Sequence, residues 1–308
     1  MQARRLMCAV LVALVAGACG SDDTASSSDD VLDVFGADPP AVTQPATTAA
    51  DDDESTTTAQ PASRWPRPLD ELDPAEPARW GLEVLDRRPH DTGAFTQGLE
   101  QLADGTLLES TGERGASTIR VVDPDSGSVL ASASLTDEEF GEGATVVDDT
   151  IIQLTWQEQR ARRWRLDDLA RLSSWEYQGE GWGLCLLDDR LVMSDGSATL
   201  TFRDPTDFSV LERVTVTFEG DEVTRLNELE CVDGHVIANV WQSATVVVIR
   251  PDGAAVAAID GSPLTAEIAS ASPGREVLNG IAVRDETSLW MTGKLWPTLF
   301  AVRVVPRA

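Results

Sequence analysis

Twelve side chains in this sequence could act together in chemistry: Phe95, Gln97, Phe140, Glu142, Trp156, Trp182, Asn227, Glu228, Trp241, Asn279, Lys294 and Trp296. They combine aromatic walls, carboxylates, amides and one cation. That is the make-up of a pocket for a small polar group on an apolar stem. Glu142 stands at an expected strand start beside Phe140, where desolvation raises a carboxyl pKa and suits it to carry protons near neutral pH. Lys294 is the only lysine among 24 Lys and Arg residues. A compact ammonium with a movable pKa is not interchangeable with a guanidinium fork. Trp156, Trp182, Trp241 and Trp296 recur at equivalent places; any one of them alone could equally be core packing. Trp65, Trp80, Trp164, Trp175 and Trp290 lie elsewhere and read as structural.

What brings these residues together is repetition. Five segments share one outline: an apolar strand, a polar turn, and a second apolar strand. Measured at Gly98, Gly143, Gly183, Glu228 and Gly280, the spacings are 45, 40, 45 and 52. The turns carry hairpin residues: Asp104-Gly105, Asp148-Asp149, Asp188-Asp189, Asp233-Gly234 and Asp285-Glu286. Further strands follow, as in Ile119-Arg120-Val121-Val122, Leu200-Thr201-Phe202-Arg203 and Val246-Val247-Val248-Ile249. Helical periodicity is nearly absent. Four strands at a period near 45 residues make a propeller blade. The expected fold is therefore all-β: a five-bladed β-propeller with four-stranded antiparallel blades. The fifth unit is one strand short, and residues 80–85 can supply it, closing the ring with an N-terminal strand and removing an exposed edge. A β-sandwich would show no such period and a solenoid a shorter one. Equivalent corners of the blades face one end of the ring, so the repeat ends converge.

The regions outside the repeats set the address. Arg4 and Arg5 precede an apolar stretch over 6–16 and a small-residue cleavage site, so residues 1–18 read as a signal peptide. Cys19 then follows in a lipobox-like setting and is read as lipidated, with an ordinary secretory cut as the alternative. Residues 19–64 form an acidic Ser/Thr/Pro-rich linker that cannot bury enough apolar surface to order itself. Residues 65–308 are left as the folded domain. Both readings of Cys19 place the protein outside the cytoplasm, anchored to the outer face of the membrane or secreted. A net charge of −28 excludes a basic nucleic-acid-binding surface. Cys185 and Cys231 are read as two buried thiols, with a disulfide as the alternative. His90 and His235 form no ligand-spaced cluster, so no zinc or other cofactor is expected. Glu228 and Glu230 could hold calcium through oxygen; an acid pair bonded to neighbouring backbone is the favoured reading.

The motifs resemble those of the plant and bacterial glutaminyl cyclotransferases. Phe95-Thr96-Gln97-Gly98-Leu99, Phe140-Gly141-Glu142-Gly143 and Leu154-Thr155-Trp156 match its first half. Gly181-Trp182-Gly183-Leu184, Leu226-Asn227-Glu228-Leu229-Glu230, Asn239-Val240-Trp241 and Thr292-Gly293-Lys294-Leu295-Trp296-Pro297 match its second. The resemblance covers about residues 80–305 and implies a five-bladed propeller. It implies an acyltransferase that cyclises the N-terminal glutamine of peptides or proteins to pyroglutamate, without a metal. It also implies Glu142 as the essential acid and Phe95, Gln97, Phe140, Trp156, Trp182, Asn227, Trp241 and Lys294 as the pocket. It assigns Cys185 and Cys231 no role. In that reaction one carboxylate can take the proton from the attacking amine and return it to the leaving nitrogen. Lys294, Gln97 or Asn227 could steady the oxyanion. A monomer is expected, since a closed ring needs no partner. A peptide-binding propeller without catalysis and a deamidating hydrolase are the competing readings.

Overall fold

The computed structural model describes residues 63–274 and 277–307. The signal segment 1–18, Cys19 and the linker as far as residue 62 lie outside them. The first strand, β1 (Ala78–Pro89), precedes three separate antiparallel sheets. The first contains β2 (Thr96–Gln101), β3 (Leu107–Thr111), β4 (Thr118–Val122) and β5 (Val129–Ser134). The second contains β6 (Gly141–Val147), β7 (Thr150–Thr155), β8 (Arg160–Arg165) and β9 (Arg171–Glu176). The third contains β10 (Leu184–Leu187), β11 (Arg190–Met193), β12 (Thr199–Arg203) and β13 (Val210–Thr215). A small hairpin of β14 (Thr217–Phe218) and β15 (Asp221–Glu222) follows.

The remaining strands form one mixed eight-stranded sheet. They are β16 (Leu226–Val232), β17 (His235–Val240), β18 (Thr245–Ile249), β19 (Ala255–Asp260), β20 (Leu278–Asp285), β21 (Ser288–Gly293) and β22 (Thr298–Pro306), with β1 between β19 and β22. β1 runs antiparallel to β22 from Trp80↔Pro306 to Pro89↔Thr298. It meets β19 in parallel only over Ala78–Trp80. The molecule is thus mostly β, with repeated four-stranded antiparallel sheets in a propeller-like arrangement.

Burial falls off outward along each of the three four-stranded sheets. β2, β6, β16 and β20 are buried through their first residues, whereas β5, β9 and β13 are largely exposed. The first strand of each sheet touches its neighbours in series: β2 with β6, β6 with β10, β10 with β16, β16 with β20, and β20 with β2. Glycine makes those approaches possible. A Cβ on Gly98 would come within 2.7 Å of the Ala144 nitrogen, and one on Gly143 within 2.6 Å of the Leu184 nitrogen.

Three features depart from the favoured expectations. Helix α1 (Ser262–Ala271), with proline in its first turn, buries Leu264 and Ile268 between β19 and β20. Its insertion is why the last repeat spacing is long, and it qualifies the all-β expectation. Second, the chain is fastened from Arg64 onward. The Arg64 guanidinium donates to the Asp233 carboxylate (2.7 Å) and the Asp285 carbonyl (2.7 Å), while Trp65 stacks on Trp80 at 6.0 Å.

Third, Cys185 and Cys231 are not two thiols: they form a disulfide, with S–S 1.98 Å and Cα atoms 5.5 Å apart. They lie on β10 and β16, whose close packing sets the two positions opposite each other. Sequence spacing carries no signal of that approach.

Candidate active site

Four of the five innermost strands break register at the same place. The irregularities fall between Thr96 and Gly98, Gly141 and Ala144, Leu226 and Leu229, and Leu278 and Ile281. They contain Gln97, Glu142, Asn227 and Asn279. Bulges re-aim side chains and locally stop pairing, so four of the five repeats turn a polar group out of the ladder at one end of the strands. Phe95 and Phe140 precede β2 and β6, Trp156 and Trp241 follow β7 and β17, and Trp182 precedes β10.

These residues close around a cavity of roughly 210 Å³ lined by Phe95, Gln97, Phe140, Glu142, Trp156, Trp182, Asn227, Trp241 and Lys294. Pockets for drug-sized molecules run to about 300–1,000 Å³, so this one suits a single amino-acid residue. Its walls are two aromatic arcs. Phe95 meets Phe140 edge to face at 5.9 Å, and Phe140 meets Trp156 at 5.7 Å. Trp182 meets Trp241 at 5.4 Å.

Glu142 is buried, and its carboxylate accepts from Gln97 Nε2 at 3.1 Å. Gln97 Oε1 in turn accepts from Asn279 Nδ2 (3.1 Å), which also donates to the Thr96 carbonyl (2.9 Å). The amide chain fixes which end of Gln97 faces the acid. Burial pushes the Glu142 carboxyl well above the usual carboxylate range; the Lys294 charge opposes this, and Glu180 and Glu158 add to it. Burial pushes the Lys294 ammonium down to about 8, against the pull of Glu142 and Glu113. Lys294 Nζ also lies 4.7 Å from the centre of the Phe95 ring. The pocket therefore pairs an acid and a base whose ordinary affinities for protons have been brought closer together. Asn227 lines the cavity, and its Oδ1 is buried without a hydrogen-bond partner.

Trp296, expected among the walls, is not in the lining. It is fully buried and sits edge to face on Phe300 at 5.9 Å. Leu295 takes a left-handed conformation at φ 61°, so the chain turns between Lys294 and Trp296 and the two side chains part. Glu228 also leaves the pocket. Its carboxylate accepts from the Leu99 nitrogen (3.3 Å) and the Ile281 nitrogen (3.0 Å). Glu230 accepts from the Val283 nitrogen at 2.9 Å. Both acids thus tie neighbouring innermost strands through their backbone.

Sequence reasoning missed two rim residues. Glu180 Oε2 accepts from Trp156 Nε1 (2.7 Å) and from Trp182 Nε1 (3.0 Å). The Arg114 guanidinium covers Trp156 at 5.5 Å and donates to Glu158 at 2.6 Å. Neither has a counterpart in the other repeats, so the periodicity could not find them; the position of Glu180 two residues before Trp182 was the available signal.

A family model described as glutamine cyclotransferase matches residues 54–304. This chain belongs to the glutamine cyclotransferase family. A glutaminyl-peptide cyclotransferase of Arabidopsis thaliana is 38% identical over 227 residues, spanning 72% of this chain and 71% of that protein. The crystal structure of Myxococcus xanthus glutaminyl cyclase covers 76% of this chain and 100% of its own, at 39% identity and a TM-score of 0.71. The PQQ-bound aldose sugar dehydrogenase of Streptomyces coelicolor, at 13% identity and a TM-score of 0.51, is similar in fold alone. Membership of the cyclotransferase family gives the pocket a reaction against which its geometry can be read.

Proposed function

We propose that this chain closes the N-terminal glutamine of peptides or proteins into pyroglutamate and releases ammonia, with Glu142 carrying the proton. One observation carries the mechanism: a buried carboxyl with a raised proton affinity faces a cavity sized for one residue. An α-ammonium titrates near about 8 and gives its proton to bulk solvent, so the substrate reacts as the free amine and the Glu142 carboxylate stays available for the ring nitrogen. The freed amine attacks the γ-carboxamide carbon and forms the ring C–N bond. Glu142 takes the proton from that nitrogen and returns it to the departing amide nitrogen, which leaves as ammonia. Lys294 stands in the same cavity as a compact positive charge for the oxyanion. The aromatic arcs fold the side chain back toward its own amine, the orientation that an intramolecular reaction requires.

The supporting framework is a five-bladed ring. The serial contacts of β2, β6, β10, β16 and β20 support that count, with the eight-stranded sheet read as two blades. The pairing of β1 with β22 supports closure by the N-terminal strand. We further read residues 1–18 as a signal peptide, Cys19 as a lipid anchor, and the protein as an extracytoplasmic monomer; mass spectrometry of the native N-terminus tests the anchor.

Offered a Gln-initiated peptide, the purified protein is expected to release ammonia while the peptide loses about 17 mass units. Deamidation would instead add about 1 unit, and binding alone would change nothing. A protein that releases no ammonia would overturn the enzymatic reading.

A further inference from the structure

The two aromatic arcs come from different parts of the chain and need something to hold them together. Phe95, Phe140 and Trp156 form one arc, and Trp182 with Trp241 the other. They meet at one atom. Glu180 Oε2 accepts both indole N–H groups, at 2.7 Å from Trp156 and 3.0 Å from Trp182, while Oε1 accepts from Gln157 Nε2 at 3.1 Å. An indole hydrogen-bonds only through its single donor, and a charged acceptor makes the stronger bond. A rigid join matters here, because small misplacements of a positioned substrate are expensive in rate.

We propose that Glu180 is a positioning residue for cyclisation: its carboxylate clamps Trp156 to Trp182 and so holds the pocket wall closed around the substrate glutamine. The inference rests on reading this pocket as the site of cyclisation. Glu180 stays ionised in the role: desolvation pulls its proton affinity up, but the bonds from Trp182, Gln157 and Trp156 outweigh it and set the carboxyl below its usual value. Its charge also reaches Glu142 and helps hold that carboxyl protonated.

The test compares wild type with Glu180→Ala and the isosteric Glu180→Gln, each checked for a folded melt. Glu180→Ala is expected to lose about 10- to 100-fold in kcat/KM, most of it as a rise in KM. Glu180→Gln keeps one oxygen for an indole but loses the charge. It should recover much of the KM while moving the acid limb of the pH–rate profile to lower pH, because Glu142 then releases its proton more readily. Indole N–H resonances give a readout independent of turnover. The two signals that vanish in Trp156→Phe and Trp182→Phe should both shift in Glu180→Ala, with the other indoles unmoved. Wild-type KM in Glu180→Ala, or, if that variant does not fold, unchanged KM and an unmoved acid limb in Glu180→Gln, overturns the clamp, as do unmoved indole signals. A wild-type protein that fails to cyclise overturns the functional reading instead, and the indole signals still decide the clamp.

Discussion

The innermost strands carry buried glutamates at the pocket and beyond it, and the two places use them differently. At the pocket end, Glu142 accepts from a side-chain amide and faces an open cavity. Farther along the same strands, Glu228 spends its oxygens on the backbone of β2 and β20, and Glu230 and Glu100 accept from Val283 and Val146. Burial raises the proton affinity of all four. A raised pKa alone therefore does not mark a catalytic acid in this molecule, nor does a cavity, since Glu100 and Glu230 line one too; what distinguishes Glu142 is a pocket walled by aromatic side chains and a carboxylate that accepts from a side-chain amide, not from backbone. An acid whose oxygens are committed to backbone N–H groups is a fastener, because those N–H groups point away from any ladder partner and need an acceptor.

Breaking the comparison at each end should give opposite signatures. Glu142→Gln is expected to lower kcat by about 10²- to 10⁴-fold with little change in melting, measured as ammonia release by folded protein. At the far end, removing the disulfide with Cys185→Ala and Cys231→Ala together should lower stability by about 2–4 kcal/mol in denaturant titrations, given the 46-residue separation it closes. Activity per folded molecule should stay near that of the wild type. Glu228→Ala leaves the Leu99 and Ile281 nitrogens without their acceptor, for a loss of about 1–3 kcal/mol, again without a kcat effect of the size seen for Glu142→Gln.

The smallest effects lie in pH dependence. A buried carboxyl whose folded pKa exceeds its unfolded one, about 4.3, binds protons more tightly in the native state. Its stabilising contribution is fully present below about 4.3 and is lost as pH rises through the folded value. Glu228 has this sign. Chemical denaturation of wild type and Glu228→Ala across that window should therefore converge as pH rises. Glu109 has the reverse sign. The His90 and Arg120 charges and the bond from Thr96 outweigh its burial and hold it at about 2, so its contribution is lost as pH falls from about 4.3 toward that value. In turnover, kcat/KM should fall on the acid side through the elevated Glu142 value and on the alkaline side near the Lys294 value of about 8.

The repeated sheets were legible because each strand pair announces itself with an apolar run and an Asp- or Gly-bearing turn. The pocket was legible because equivalent repeat ends must converge. Trp296 was misplaced for a local reason: it shares a motif with Lys294, but the left-handed Leu295 between them separates their directions. Helix α1 hid inside a longer spacing, since ten residues with two buried positions give little periodic signal. The disulfide and the Glu180 clamp join residues whose proximity exists only after neighbouring strands or loops have packed. Such pairings leave no mark on the spacing of either partner.

The solitary lysine has a consequence for chemical labelling. Every other side-chain cation in the chain is an arginine or a histidine. Lys294 combines the sole lysine amine with a proton affinity set near 8 and a place in the cavity wall. An acylating reagent small enough to enter the cavity thus meets one side-chain amine, much of it unprotonated in mildly alkaline buffer. Occupancy of the cavity can then be followed as protection of that amine, in the manner of a built-in footprinting probe.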